Sequence, residues 1–290
     1  MAGRKIYGII DMQGVIFDIK EFAIFDGPGI RHTIFLKGCP LHCQWCHNPE
    51  GINNDPELMV SMGCTECGKC TKVCGNQICL SCGKCIAICP QRLRKICGER
   101  ISAVELSRRM QKLRIPIEGY GVTLSGGEPM FQPDFSAELL ICLKAHGINT
   151  AVETSGYASA AVFKKIVDLC DYVMIDLKHF NNTIHRKYTG VSNKRILANI
   201  RSLDQSGKPY TVRIPLISGI TDTETNMEQS AEFLSEFSNL ECVELLSYNV
   251  AAGAKYDMLR RENKPAFTPS DKEELISLIF SRNGIRSRFL

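Results

Sequence analysis

Three cysteines stand at a CxxxCxxC spacing in the run Cys39-Pro40-Leu41-His42-Cys43-Gln44-Trp45-Cys46. Three thiolates on one tight loop can hold three corners of a cubane [4Fe–4S] cluster. With no fourth protein ligand nearby, the last iron stays open to a small molecule. Catalytic zinc sites keep a position free for the same reason, whereas structural sites are closed. A zinc loop or three unrelated thiols would also fit this spacing, so the flanking residues must decide.

A second group of cysteines follows. Residues 64–90 read CTECGKCTKVCGNQICLSCGKCIAICP, which is two consecutive CxxCxxCxxxC units: Cys64, Cys67, Cys70, Cys74 and then Cys79, Cys82, Cys85, Cys89, with Pro90 after them. This is the bacterial ferredoxin spacing, in which the fourth cysteine of each unit ligates the other cluster. By that rule Cys64, Cys67, Cys70 and Cys89 hold one cluster, and Cys79, Cys82, Cys85 and Cys74 hold the other. Two features depart from the pattern: only four residues separate the units, and Gly75 stands where a proline is expected. A pair of four-cysteine zinc sites is the competing reading.

Several polar groups sit at the ends of apolar runs. Ser125-Gly126-Gly127-Glu128-Pro129 offers a backbone that can approach a ligand closely and a carboxylate that could balance an ammonium. Glu153-Thr154-Ser155-Gly156 and Asp176-Leu177-Lys178 end two further runs. Arg213 lies between Val212 and Ile214, where a buried guanidinium is costly unless paired. Asp176 and Lys178 could equally be a local surface ion pair.

The elements that must position these groups alternate. Six short runs, at 33–37, 121–125, 149–153, 172–176, 210–215 and 242–246, are rich in apolar and β-branched residues, as strands buried on both faces tend to be. Ser102-x-x-Glu105 is a capping box, Pro133-Asp134 opens a second helix that Gly147 stops, and residues 193–203 carry apolar groups at helical spacing up to Gly207. Segments at 223–238 and from Ser270-x-x-Glu273 supply two more. This rhythm predicts an α/β fold, an incomplete (β/α)6 TIM-like barrel of parallel strands, with chemistry at the strands' carboxyl ends. The barrel takes residues 1–63 and 98–290, and residues 64–97 form a small ferredoxin-like insert with two clusters.

With 290 residues, 44% apolar and 23% charged, the chain can bury a full core without disulfide staples. A net charge of +4, with no long basic run and a single Trp, gives no nucleic-acid footprint. The apolar stretch from Ile6 to Ile19 is broken by Asp11, Gln13 and Asp18, too short for a signal peptide or membrane span. The expected location is cytoplasmic, where fifteen cysteines argue for metal rather than disulfides. Cys142, Cys170 and Cys242 sit singly in apolar segments and are assigned to the core; Cys97 is ambiguous.

The CxxxCxxC run resembles the signature of the radical S-adenosylmethionine superfamily. Together with Asp26-Gly27-Pro28-Gly29-Ile30-Arg31 before it and His47-Asn48-Pro49-Glu50 after it, the chain resembles the glycyl-radical-enzyme activating enzymes over nearly its whole length. The resemblance implies that a cluster on Cys39, Cys43 and Cys46 reductively cleaves S-adenosylmethionine. The radical so formed takes a Cα hydrogen from one glycine of a partner glycyl-radical enzyme. It implies three [4Fe–4S] clusters, one catalytic and two in the insert, and a flavodoxin or ferredoxin-type electron donor. Lys178 and Arg213 join the three cysteines as catalytic groups. Trp45, Cys46, His47, Gly126, Gly127, Glu128, Glu153, Ser155, Asp176, Leu177, Lys178, Arg213 and Asn249 contact the cofactor, and Asp26 and Gly27 face the partner's glycine loop. Trp45 packs near the adenine or against the insert. The family commonly reads Tyr-His where this chain has Tyr248-Asn249; asparagine can hydrogen-bond there but cannot titrate.

Two other functions fit parts of the pattern. A radical maturase acting on another peptide or small molecule often carries extra cysteines near its carboxyl end, and here none follows Cys242. A non-catalytic electron-transfer or zinc scaffold has no use for the Gly-Gly-Glu, Asp-Leu-Lys and Arg213 groups on successive strands.

Overall fold

The computed structural model describes residues 11–74, 79–250, 253–262 and 266–290. The start of the amino-terminal apolar stretch, residues 6–10, and Gly75 lie outside them. The chain opens with an antiparallel pair, β1 (Gln13–Ala23) and β2 (Arg31–Leu36). The insert region follows as β3 (Glu57–Val60), α1 (Lys69–Cys74), α2 (Lys84–Ala87) and β4 (Arg94–Cys97). Then come β5 (Glu99–Ser102), α3 (Ala103–Lys112), β6 (Gly121–Gly126), α4 (Pro133–Ala145), β7 (Asn149–Thr154) and α5 (Ala160–Leu169). The carboxyl half runs β8 (Tyr172–Asp176), α6 (Asn182–Thr189), α7 (Lys194–Gln205), β9 (Tyr210–Leu216), α8 (Glu224–Ser235) and β10 (Leu240–Ser247). It ends with α9 (Gly253–Met258), α10 (Glu273–Arg282) and β11 (Ser287–Phe289).

One nine-stranded sheet has the order β11-β10-β9-β8-β7-β6-β2-β1-β5. The six expected strands are its centre, all parallel from β2 to β10. Three flanking strands extend it: β11 pairs parallel to β10, while β1 and β5 pair antiparallel on the other side. The alternating polar residues of β1, such as Asp18 and Lys20, suit a strand with one face in solvent, so no continuous apolar run marks it. β11, only three residues long, carries too little pattern to read.

Side chains alternate across the sheet. One set, including Ile34, Leu36, Val122, Leu124, Val152, Val173, Ile175, Val212, Ile214, Val243 and Leu245, packs with the helices in the main core. The other set, including Thr33, Thr123, Glu153, Arg213 and Glu244, meets in a polar network on the inner face. Both faces are buried as expected; the inner one is mainly polar, with a small apolar cluster of Ala151, Tyr172 and Met174.

The helix ends follow local chemistry. Ser102 Oγ accepts the Glu105 N–H at 3.1 Å, the expected cap of α3. Gly147, at φ +67°, ends α4, and Gly207, at φ +72°, follows α7. Ser270 differs: its hydroxyl donates to Asp222 Oδ2 at 2.7 Å and accepts the Lys272 N–H, so α10 starts only at Glu273. Cys142, Cys170 and Cys242 are buried as assigned, and Cys97 is buried at the end of β4. The antiparallel β3–β4 ribbon brackets residues 61–93. Among the described residues no helix is long and apolar enough to cross a membrane.

Candidate active site

A cavity of about 520 Å³ opens at the carboxyl ends of the parallel strands. Its wall carries Cys39, Cys43 and Cys46, with Trp45 and His47 between and beside them. Also lining it are Ser125, Gly126 and Gly127 at the end of β6, Glu153 and Ser155 at β7, Asp176 and Lys178 at β8, and Asn249 after β10. Strand order places these groups together because parallel neighbours end at one level. Asp176 lies opposite Arg213 in the β8–β9 register, and Arg213 opposite Glu244 in β9–β10.

Burial raises all three thiols of the loop, Cys43 to about 12, while nearby Lys178 pulls Cys43 and Cys46 back down. A metal bound there by thiolates would therefore displace protons from this loop. Lys178 Nζ donates to Asp176 Oδ2 at 2.8 Å. Burial would lower the ammonium, but Asp176 and Cys43 beside it raise it, so it stays charged. His47 is held neutral by burial and by the cations Lys178 and Lys255, and its Nε2 accepts the Asn249 N–H at 3.3 Å.

Among the described residues no three His, Cys, Asp or Glu side chains converge as ligands of a single metal ion. A cubane does not ask for that convergence, because each of its thiolates binds a different iron. The donor set fits such a cluster with a small amphipathic ligand: three thiols, cations and carboxylates line the same cavity, and Leu41, Phe35, Pro215 and Leu246 complete it.

The two glycines of the 125–129 motif serve the backbone first. A Cβ at Gly127 would sit 2.4 Å from the Gly38 and Gly51 carbonyl oxygens, and one at Gly126, where φ is +107°, would sit 2.5 Å from Leu36 N. They let the loop after β6 press against the cysteine loop, and Gly127 N–H and Glu128 N–H donate to Leu36 O and Gly38 O at 2.8 Å. Glu128 is fully buried and does not line the cavity. Its carboxylate accepts from Thr154 Oγ1 and Ser155 N at 2.7 Å, Ser155 Oγ at 2.5 Å and Met130 N at 3.0 Å. Those bonds join the β6 and β7 loops and leave no free oxygen lone pair directed at a ligand's ammonium.

Arg213 also stays behind the wall. It donates through Nε to Glu244 at 2.7 Å, through Nη1 to Glu153 at 2.5 Å and through Nη2 to the Phe25 carbonyl oxygen. Burial alone would raise Glu153, but Arg213 and the Ser125 hydroxyl hold it below the usual carboxylate range. Leu177 is core, 1% exposed.

The Asp26–Arg31 segment is tied to the inner face of the barrel. Arg31, wholly buried, donates to Thr123 Oγ1 at 2.7 Å, Pro28 O at 2.8 Å and Asn149 Oδ1 and Val122 O at 3.0 Å. Burial lowers it to about 10. Gly121 makes room, since a Cβ there would lie 2.5 Å from the guanidinium. Asp26 bonds Thr33 Oγ1 at 2.7 Å and lines the cavity, while Gly27, at φ +115°, does not.

A family model for the radical SAM superfamily matches residues 33–234. Over 93% of the chain, 33% of residues are identical to the choline trimethylamine-lyase activating enzyme of Oleidesulfovibrio alaskensis, covering 96% of that protein. The 4-hydroxyphenylacetate decarboxylase activating enzyme of Clostridioides difficile strain 630 is 36% identical, over 94% of this chain and 95% of its own. The chain belongs to the glycyl-radical-enzyme activating enzymes. Among solved structures, a domain of a pyruvate-formate lyase-activating enzyme from Bacteroides vulgatus is 31% identical with a TM-score of 0.51, covering 59% of this chain and 99% of that one. The radical SAM family uses S-adenosylmethionine and a [4Fe–4S] cluster.

Several wall residues of this radical SAM barrel went unread in the sequence. Lys255 on α9 pairs with Glu50 at 2.7 Å and donates to Asn48 at 3.1 Å, clamping the His47–Glu50 turn. It is about 200 residues distant in sequence, and no local pattern marks it. Trp45 packs against Tyr188 of α6 and Phe267, with ring centres 5.7 and 6.1 Å away, rather than against the insert.

Proposed function

We propose that the chain reductively cleaves S-adenosylmethionine and installs a radical on a glycine of a partner protein. The observation that supports this most directly is a single cavity carrying three cysteines beside a charged Asp176–Lys178 pair and a glycine backbone. Cys39, Cys43 and Cys46 would hold the [4Fe–4S] cluster, with one iron left open to the cofactor. When bound, cluster and S-adenosylmethionine supply the electron transfer and the carbon radical that takes the glycine hydrogen. Lys178 keeps a cation where a carboxylate group of the cofactor binds, and the Gly126-Gly127 backbone faces its amino group. Glu153, Ser155 and Asp176 offer oxygens to its ribose hydroxyls, with Asn249, His47 and Trp45 toward the adenosine end. Glu128 and Arg213 act as positioning residues through Ser155 and Glu153.

The partner's glycine loop approaches over Asp26 and Gly27. Phe22, Ile24 and Phe25 beside them are 62%, 61% and 53% exposed, an apolar rim for a protein partner. The segment from 64 to 97 is a module of two [4Fe–4S] clusters on Cys64, Cys67, Cys70, Cys74, Cys79, Cys82, Cys85 and Cys89. Arg94 lies close to Cys70, Cys85 and Cys64; burial would lower it and those thiols raise it.

The test is anaerobic reconstitution with and without the triple change Cys39→Ala, Cys43→Ala, Cys46→Ala. Iron should fall from about twelve to about eight per chain, and formation of 5′-deoxyadenosine and methionine should cease. Wild-type protein with full iron and sulfide that yields no 5′-deoxyadenosine on reduction would refute the reading.

A further inference from the structure

Residues 61–97 carry six Lys and Arg against one acid, Glu66, a net +5, whereas the whole chain carries +4. All the excess positive charge therefore resides in the insert, and the remaining residues sum to −1. Lys69, Lys72, Lys84, Arg92 and Lys95 are exposed. Among the described residues, none of these five takes part in an ion pair, while Arg100 and Arg109 nearby both do. The field of the insert is thus uncompensated.

The same surface is dotted with apolar groups and sulfur. Met62 and Leu80 are 75% and 69% exposed, Ile88 and Val73 about 40%. Cys64, Cys67, Cys79 and Cys82 are exposed too, so whatever they bind lies at the surface. At the root of the insert, Glu57 of β3 is bonded to residues that flank the cysteine loop, Lys37 at 3.1 Å and Asn53 at 2.6 Å, and to Arg261 at 2.6 Å. The cavity, by contrast, is balanced, with Lys20, Lys178 and Lys255 against Asp26, Glu153 and Asp176.

We infer that the insert is the docking surface for an acidic one-electron carrier protein, distinct from the cavity where the glycine-bearing partner enters. The inference rests on the reading of the insert as a cluster module. Small, weak, electrostatically steered interfaces are the usual kind between redox proteins. The carrier loses one electron and an insert cluster gains it, with no bond made or broken and no proton moved. A nucleic acid fits this surface less well, because residues 61–97 contain no aromatic side chain on which a base could stack.

The experiment uses the reconstituted holoenzyme with reduced flavodoxin, an acidic carrier, as probe. Stopped-flow absorbance reads cluster reduction, and carbodiimide cross-linking with peptide mapping reads the contact. Lys69→Glu/Lys72→Glu/Lys84→Glu should slow reduction by flavodoxin at least tenfold at low salt, while Arg108→Glu/Lys112→Glu on α3 should not. The wild-type rate should itself fall at least tenfold between 0.01 M and 1 M salt, where the Debye length shrinks from ~30 to ~3 Å. Iron and sulfide content, with reduction by dithionite, report the cluster reading separately from the docking. A wild-type rate indifferent to salt, an insert variant reduced by flavodoxin as fast as wild type, or cross-links confined to the cavity rim would each overturn the inference.

Discussion

Arg213→Met would remove the shared partner of two carboxylates inside the barrel. The guanidinium makes three bonds, to Glu153 at 2.5 Å, to Glu244 at 2.7 Å and to the Phe25 carbonyl. Arg213 and Glu244 are 3% and 2% exposed, so water cannot replace the bond to Glu244, whereas Glu153 faces the cavity. Stranding one member of such a pair typically costs about 3–5 kcal/mol, a large fraction of the roughly 5–15 kcal/mol that holds a protein folded. Glu244 retains Arg288, and Glu153 retains the Ser125 hydroxyl, which argues for the lower half of that range. Arg213→Lys keeps the charge but cannot serve three acceptors at once, so it should fall between.

The pH dependence gives a second readout. Glu153 is held below its ordinary value in the native protein, so its contribution is present above the unfolded value of about 4.3 and is lost as pH falls through the lower folded value. In Arg213→Met, burial acts on Glu153 with no guanidinium to offset it. The stability gap between the two proteins should therefore be wide at pH 7 and close below about pH 4. Anaerobic denaturant unfolding followed by circular dichroism measures the gap, and chymotrypsin should cut sooner near Phe22 and Phe25 once the Phe25 tether is gone. A variant within 1 kcal/mol of wild type at pH 7, with unchanged proteolysis, would show that the network is incidental to the fold.

Asn249→Ala should raise the dissociation constant for S-adenosylmethionine two- to twelve-fold, the effect of one neutral hydrogen bond of roughly 0.5–1.5 kcal/mol. The backbone bond to His47 survives in that variant, and a cofactor titration by electron-paramagnetic resonance checks it. His179, 3% exposed and lowered by burial to about 4, stays neutral in the fold but charges near 6.5 when unfolded. Folding should thus lose about 3 kcal/mol between pH 6.5 and 4, at ~1.36 kcal/mol per unit. Unfolding of His179→Gln across that range should be flatter by the same amount.

Sequence alone located the cysteine loop and the strands whose ends line the cavity. Cysteine spacing is a local property of one loop, and buried parallel strands announce themselves as short apolar runs, so Cys39–Cys46 and all six central strands were legible. The pairing of Arg213 was foreseeable too, because a charge between Val212 and Ile214 needs a partner. Which partners it took was not. Glu153, Glu244 and Phe25 come from three distant segments, joined only when β7, β9, β10 and the β1–β2 loop assemble.

Tertiary structure likewise decided the fate of Glu128. As a sequence element it is a carboxylate after two glycines, equally able to face a ligand or the protein. Packing of the β6 and β7 ends surrounds it with four donors and turns it inward. Lys255 and the flanking strands β1, β5 and β11 were settled at the same level. Their placement depends on surfaces that exist only after the central sheet has formed, and such long-range contacts leave no periodic trace in the chain.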